Sequence, residues 1–369
     1  MIAVVAASLM ITSAAHRRQA GPAAASGRPK AAAARIPPFY LTFAGGRGGR
    51  QHLVSHSTAT GAVLATILPP KPYGNFSLVT AAADDRTFVV AAERWQPAPP
   101  TKFFLIRLGR SGRLQQFTAL PIPQLPAAEL ASAIAISPDA SKLAVAVEKA
   151  APGNTKNPEI RVFALATGSE RTWVWHGHAT ITNNAATGQP LSWSADGRTL
   201  AFQQWIAGSI DIRLLDTTAP GNDLRSSRLI LDFAHEQESL HFVHGKASSI
   251  FGYSALLTPD GTKIVLATVT ETKPPIRSEL AFTEFSASTG NAVRVLGRWR
   301  FSAYPGQVQD VLWTSPSGST LIVVAHKPGA NAITHNMANY PIEIGVLTGN
   351  KFTPLHGAPP ASAAGWPVF

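Results

Sequence analysis

The stretch LLTPDGTKIVLATV (256–269) is two apolar runs folded back around Thr258, Pro259, Asp260 and Gly261. Each turn residue has a physical reason to be there. Thr opens the turn, Pro presets φ, Asp bonds back to nearby backbone, and Gly accepts a positive φ. The flanking alternation of apolar residues is that of half-buried strands, so the unit is a hairpin. The same phrase returns as AIAISPDASKLAVAV (133–147), LSWSADGRTLAFQQ (191–204) and VLWTSPSGSTLIVV (311–324), and in a worn form as VTAAADDRTFVVAA (79–92). Aligned on the first turn residue, the copies start at 82, 137, 194, 258 and 315, spaced 55, 57, 64 and 57 residues apart. The turn positions of interest are Asp84, Asp85, Asp139, Asp196, Gly197, Asp260, Gly261 and Gly318. Ala140 and Asp85 stand where other copies have Gly, and Ser317 stands for Asp. Asp tolerates a left-handed backbone, whereas Ala does so poorly, so the Ala140 turn is expected to be shaped differently.

A second phrase lies between the copies: SHSTATGAVLATI (55–67), IRLGRSGRLQQF (106–117), VFALATGSERTWVW (162–175), FTEFSASTGNAVRVL (282–296) and IGVLTGNKFTPL (344–355). IRLLDTTAPGNDLRSSRLIL (212–231) is a longer variant. Each reads as strand, Gly-containing turn, strand. Two hairpins per period make four strands per period, the mark of an all-β propeller. Full blades are expected near 76–120, 129–176, 190–233, 250–299 and 309–355. The stretch 39–68 reads as an incomplete blade, finished by the C-terminal GWPVF (365–369). A ring closed by strands from both chain ends removes its sheet edges. The count is six blades, or seven if 218–250 holds extra strands.

LSWSADGRTLAF and LLTPDGTKIVLA resemble the WD40-like repeat of TolB-type β-propellers, whose blades carry a Ser-Pro-Asp-Gly turn before an apolar strand. The resemblance covers about 76–330 by the first phrase and about 55–355 with the second. With the N-terminal segment described next, the chain is also similar to uncharacterised, membrane-anchored propeller proteins of high-GC bacteria. That similarity implies a propeller outside the cytoplasm and supplies no activity.

Residues 1–15, MIAVVAASLMITSAA, are apolar throughout, and HRRQ follows. By length this is a secretory apolar core or the end of a membrane span. Residues 16–37 are rich in Ala, Pro, Gly and basic residues and read as a linker, leaving 38–369 for the propeller. The expected arrangement is a membrane-anchored, extracytoplasmic propeller. The alternatives are a cytoplasmic-face location, or secretion if the segment is cleaved. The net charge is +11, but residues 1–83 carry eight Lys or Arg and no acid, leaving 24 basic against 21 acidic residues beyond. A nucleic-acid binder should carry its basic stripe on the folded part, so nucleic acid is not an expected partner. The absence of cysteine removes disulfides, thiolate metal sites and Cys nucleophiles.

No Gly-x-Ser-x-Gly occurs, and Gly197 follows Asp196 directly, which breaks the spacing of a sialidase Asp-box. WVWHGHA places His176 and His178 two apart, on one side if the strand continues. AHEQESLHFVHGK adds His235, His241 and His244, with Glu236 and Glu238, between two blades. These five histidines are the metal candidates, against the plainer reading of exposed loop histidines. AGGRGGRQH (44–52) reads as a hairpin loop, because a phosphate loop should open a helix. Trp193 and Trp313 sit just before two of the turns, and such recurrence points to packing between blades rather than ligand stacking. Asp211, Asp216 and Asp310 read as channel residues or, more simply, as caps and turn formers.

The reading that follows is a non-enzymatic, membrane-tethered scaffold without cofactor. It would present one ring face to a protein, peptide or envelope glycan. The rival is a propeller hydrolase or lactonase-like enzyme with a metal or activated water over the central channel. An enzyme would need several His, Asp or Glu converging on one point. A third reading is a structural subunit of another membrane protein.

Overall fold

A computed structural model describes residues 35–45, 51–93, 100–149, 157–181, 190–206, 209–233, 249–272, 277–301, 310–326, 342–358 and 367–369. The apolar segment 1–15 and most of the linker lie outside them. Among the described residues, no helix is long and apolar enough to cross a membrane.

The strands group into six antiparallel sheets, each in chain order. The first holds β1 (Phe39–Ala44), β2 (His52–Ser57) and β3 (Val63–Ile67). The second holds β4 (Asn75–Ala81), β5 (Thr87–Glu93), β6 (Lys102–Leu108) and β7 (Leu114–Ala119). The third holds β8 (Glu129–Ile136), β9 (Lys142–Lys149), β10 (Glu159–Ala164) and β11 (Glu170–Val174). The fourth holds β12 (Leu191–Trp193), β13 (Thr199–Ile206), β14 (Ser209–Asp216) and β15 (Arg228–Asp232). The fifth holds β16 (Ser249–Leu257), β17 (Lys263–Thr272), β18 (Arg277–Ser286) and β19 (Ala292–Phe301). The sixth holds β20 (Asp310–Thr314), β21 (Thr320–His326), β22 (Ile342–Thr348) and β23 (Lys351–Pro354). This is a six-bladed propeller. The fourth blade uses the stretch after 218 for a short 3-10 turn (Leu224–Ser226) and β15, not for a seventh blade.

Burial follows position in the blade. The second strands are buried almost end to end, as in TFVVAA of β5, while the outer strand β7 is mostly exposed. A strand covered on both faces carries a near-continuous apolar run, and these do. On β9, Leu143, Val145 and Val147 face Val89 and Phe103 of the second blade. Ala144 and Ala146 of the same strand face Trp173, Trp193 and Phe202. Small residues oppose large ones across the seam, and each fully buried large side chain contributes about 1.5–3 kcal/mol. An extra residue interrupts the pairing of the innermost strand in four blades, at Phe76/Leu78, Ala131/Ala133, Tyr253/Leu256 and Val311/Trp313. Such bulges add local twist to a strand.

The three-stranded first sheet is completed from the other end of the chain. Leu41 donates to the Val368 carbonyl at 3.0 Å and accepts from the Val368 N–H at 2.9 Å. The C-terminal residues thus take the innermost place that β4, β8, β12, β16 and β20 hold elsewhere. Phe369 packs on Tyr40 at 5.1 Å and joins Ile322, Val324 and Ile344 of the sixth blade. His56 also stacks on Tyr40, with ring centroids 4.9 Å apart and planes 9° from parallel. Its Nε2 lies 2.9 Å from Thr42 Oγ1, and its Nδ1 lies 3.3 Å from the Gly61 carbonyl. Burial holds His56 below the usual imidazole value, the Gly61 carbonyl pulling weakly the other way, and burial pushes the Tyr40 phenol up to about 12.

A neutral His56 is therefore the form the folded ring favours, while the unfolded chain takes up the proton at about 6.5. The stability this contributes is complete above that value and is lost as pH falls through it toward the lower folded value. The melting temperature should fall between pH 7.5 and 5.5, and His56→Gln should flatten that slope. The same slope in both proteins would clear His56 of the effect.

Candidate functional site

The repeated turn has one geometry in all five blades. The fourth turn residue donates its N–H to the first residue's carbonyl: Asp85 to Ala82 at 3.3 Å, Ala140 to Ser137 at 2.8 Å and Gly197 to Ser194 at 2.9 Å. Gly261 and Gly318 do the same to Thr258 and Ser315, both at 2.8 Å. In all five the fourth residue is left-handed, with φ between 57° and 70°. The Ala140 turn is thus not shaped differently. Its φ is 57°, and the Ser137 hydroxyl donates to Asp139 at 2.6 Å, which in turn accepts from the Ser141 N–H at 3.1 Å. That network outweighs the cost of Ala in this region, about 1–2 kcal/mol.

The same bonds occupy the other turn carboxylates. Ser194 donates to Asp196 and Thr258 to Asp260, each at 2.6 Å. The Ser137 and Ser194 hydroxyls hold Asp139 and Asp196 below the usual carboxylate range. For Asp260 and Asp84, burial pushes upward, but hydrogen bonds from Thr258 and Thr87 prevail. These aspartates are turn formers.

The turns also join blade to blade. Ala83 donates its N–H to Pro138 at 3.3 Å, and Ala195 donates to Pro259 at 2.7 Å. Lys142 Nζ reaches the Gly197 carbonyl at 2.9 Å. Ser192 Oγ accepts from the Leu257 N–H at 2.8 Å, and Trp193 Nε1 donates to the Ala135 carbonyl at 3.0 Å. Trp193 is 6% exposed and does the packing expected of it.

Where the innermost strands run into these turns, the channel opens in a mouth of about 310 Å³. Its wall takes Thr80, Ile136, Trp193, Leu257, Trp313 and Phe369, one from each blade. Among the described residues, the charged ones that line it are Arg35 and Asp85. Asp85 is half-buried and, among the described residues, its carboxylate makes no hydrogen bond or ion pair. Burial and then the neighbouring Asp84 raise its pKa, against the opposing fields of Arg35 and Arg86. A larger groove of about 690 Å³ lies between the outer strands of the sixth blade and the first-blade residues around Phe39 and Ser57, walled by Ile36, Pro38, Val346 and Leu355. It belongs to one seam, whereas the mouth belongs to the whole ring.

The metal candidates do not assemble among the described residues. Strand β11 stops at Val174, and Gly177, with φ 140°, turns the backbone between His176 and His178. Both are exposed, and the His176 carbonyl accepts from the Arg225 guanidinium. His235, His241 and His244 lie outside the described residues. No group of three or more metal-ligating side chains occurs among the described residues. Asp211 pairs with Arg213 at 3.2 Å, Asp216 closes a turn with Thr218, and Asp310 accepts from the Val311 N–H; none lines the mouth. β1 and β2 pair as a hairpin around 46–50, residues that are themselves outside the description. Sequence reasoning missed Arg35, and read Asp85 only as a turn former. The Asp at a glycine position was the available signal.

No family model matches the sequence, and no curated protein sequence matches it. Solved structures similar to it include TolB from Acinetobacter baumannii, at 15% identity over 86% of this chain and 68% of that one, with a TM-score of 0.41. A putative TolB from Agrobacterium tumefaciens is 14% identical over 86% of this chain and 88% of its own, with a TM-score of 0.44. A puromycin hydrolase is 16% identical over 79% of this chain and 41% of its own, with a TM-score of 0.41. The blade count rests on the strand pairing itself.

The turn belt makes an ordered prediction. A Cβ at Gly261 would meet only Ser194 Cβ, at 3.5 Å, so Gly261→Ala should cost roughly 1 kcal/mol for its left-handed backbone. A Cβ at Gly318 would fall 2.3 Å from Oε1 of the fully buried Glu284, which bonds Arg294 at 3.0 Å. Gly318→Ala should cost roughly twice as much or more in denaturant unfolding, because a buried ion pair must shift as well. Equal losses would mean that the Glu284 contact yields freely.

Proposed function

We propose that this protein is a binding scaffold whose channel mouth receives a peptide segment of a partner protein. One observation carries the reading: the mouth is a cavity assembled from all six blades, in which two indoles and aliphatic side chains sit among Thr80, Ser192, Thr314, Arg35 and Asp85. A cavity of mixed lining can bury an apolar part of a ligand while its polar groups set the orientation. The blades supply rigidity, so little order has to be imposed on the protein side at binding. The apolar run 1–15, followed by a linker, supports a membrane tether for the ring.

The test is a selection of peptides from a random library on the full chain, followed by binding to two variants. Ala83 is exposed at the rim of the mouth, and its N–H bond to Pro138 does not involve its side chain. Ala83→Trp should weaken selected peptides at least about tenfold, ~1.4 kcal/mol, with little change in melting temperature. Val63→Trp, on the exposed outer strand β3, should not. Peptides indifferent to Ala83→Trp would move the binding surface elsewhere. A selection that yields only glycans on parallel screening would replace peptide by glycan.

A further inference from the structure

The repeated turns depart from one another in charge at a single position, and it borders the mouth. The fourth turn residue is Gly in three blades and Ala in one, and only the second blade places a charged side chain there, Asp85. Asp accepts the left-handed backbone better than most residues, so the position is compatible with the turn. It adds nothing to the turn itself, because Asp84 already makes the bonds to Thr87 and to the Arg86 N–H. The other turn aspartates, Asp139, Asp196 and Asp260, each accept from a hydroxyl and from a backbone N–H. Asp85 alone is half-buried at the cavity wall without such a bond among the described residues.

On the binding reading given above, we propose that the mouth recognises a cationic side chain, arginine or lysine, of the incoming peptide through Asp85. Trp313 of the sixth blade is half-buried on the same wall, and an indole is the side chain that best attracts a cation. Trp193 is already covered by Lys142, whose Nζ lies 5.9 Å from its ring centroid. The groups facing Asp85 are Asp84, Arg35 and Arg86. Arg86 gives Asp84 only a backbone N–H bond and Arg107 is the cation that acts on Asp84, while the charges of Arg35 and Arg86 act on Asp85 without closing an ion pair on it among the described residues. Arg35 is exposed and lines the mouth without closing an ion pair on Asp85 among the described residues. It is the internal competitor: a ligand cation takes the place that Arg35 holds loosely from a distance. A partly desolvated carboxylate gains more from a close cation than an exposed one does.

The experiment is a tryptophan-fluorescence titration of the full chain with acetyl-Ala-Arg-Ala-amide and with its neutral citrulline counterpart. The arginine peptide should bind saturably and the citrulline peptide at least tenfold more weakly. Asp85→Asn, which keeps the left-handed tolerance and should keep the melting temperature, should erase that preference. Arg35→Ala should tighten the arginine peptide several-fold. Equal binding of both peptides, blocked by Ala83→Trp, would overturn the cation inference and leave the binding scaffold standing. No saturable response to the arginine peptide at millimolar concentration would overturn it too, while peptides selected against the mouth would still support the scaffold. Failure of both together would remove the mouth as a site.

Discussion

Each blade of this ring is a sheet with two apolar faces, and neither face can be covered within the blade. On β9 one face supplies Leu143, Val145 and Val147 and the other Ala144 and Ala146, so the strand belongs to two cores at once. No blade with such a strand is stable alone, and stacking neighbours is the only way to cover both faces. The ring follows, and so does its weak point. A linear stack would leave an apolar face bare at either end, so the first sheet must meet the sixth. Residues 367–369 achieve this with one pair of hydrogen bonds at Leu41 and one aromatic side chain, Phe369.

The conserved-looking chemistry of the repeat is consumed by that same demand. Ser or Thr, Pro, Asp and Gly recur together because the turn must enter the next strand and touch the next blade. The proline carbonyls at 138 and 259 accept from the preceding blade's turn, and Lys142 reaches the Gly197 carbonyl of the blade that follows. A carboxylate locked to a hydroxyl and a backbone N–H has no capacity left for a ligand. Most of the acidic residues that a motif search would bring to attention are spent in this way.

This explains what was legible in the sequence. The two phrases are strong local signals because turn chemistry and strand alternation are read within a dozen residues. The blade limits therefore matched closely; the fourth, for example, runs from Leu191 to Asp232. The closing contact was legible as a deficit, since the stretch 39–68 lacked a first hairpin, with the C-terminal GWPVF as the segment to fill it. The mouth was not legible. It depends on residues from six blades converging, and Arg35 reaches it from a stretch that reads as linker up to residue 37. The histidine pair misled for a related reason: two residues apart means one face only while a strand lasts, and β11 ends two residues before His176.

A repeated phrase makes equivalent positions around an axis, and equivalence is poor at discrimination. Six identical walls would offer any ligand six identical poses. Selectivity in such a ring must come from where the repeat is broken. At the last residue before the turn the wall reads Ala81, Ile136, Trp193, Leu257 and Thr314, so the apolar surface is already uneven. Of the fourth turn residues, Asp85, Ala140, Gly197, Gly261 and Gly318, only Asp85 is charged, and only Asp85 is part of the wall. The sequence tolerates the broken symmetry because neither position carries the hydrogen bonds that hold the turn; those belong to the first and third residues and to the backbone. Folding and recognition are thereby assigned to different residues of one short phrase, and the second set can vary without loosening the first.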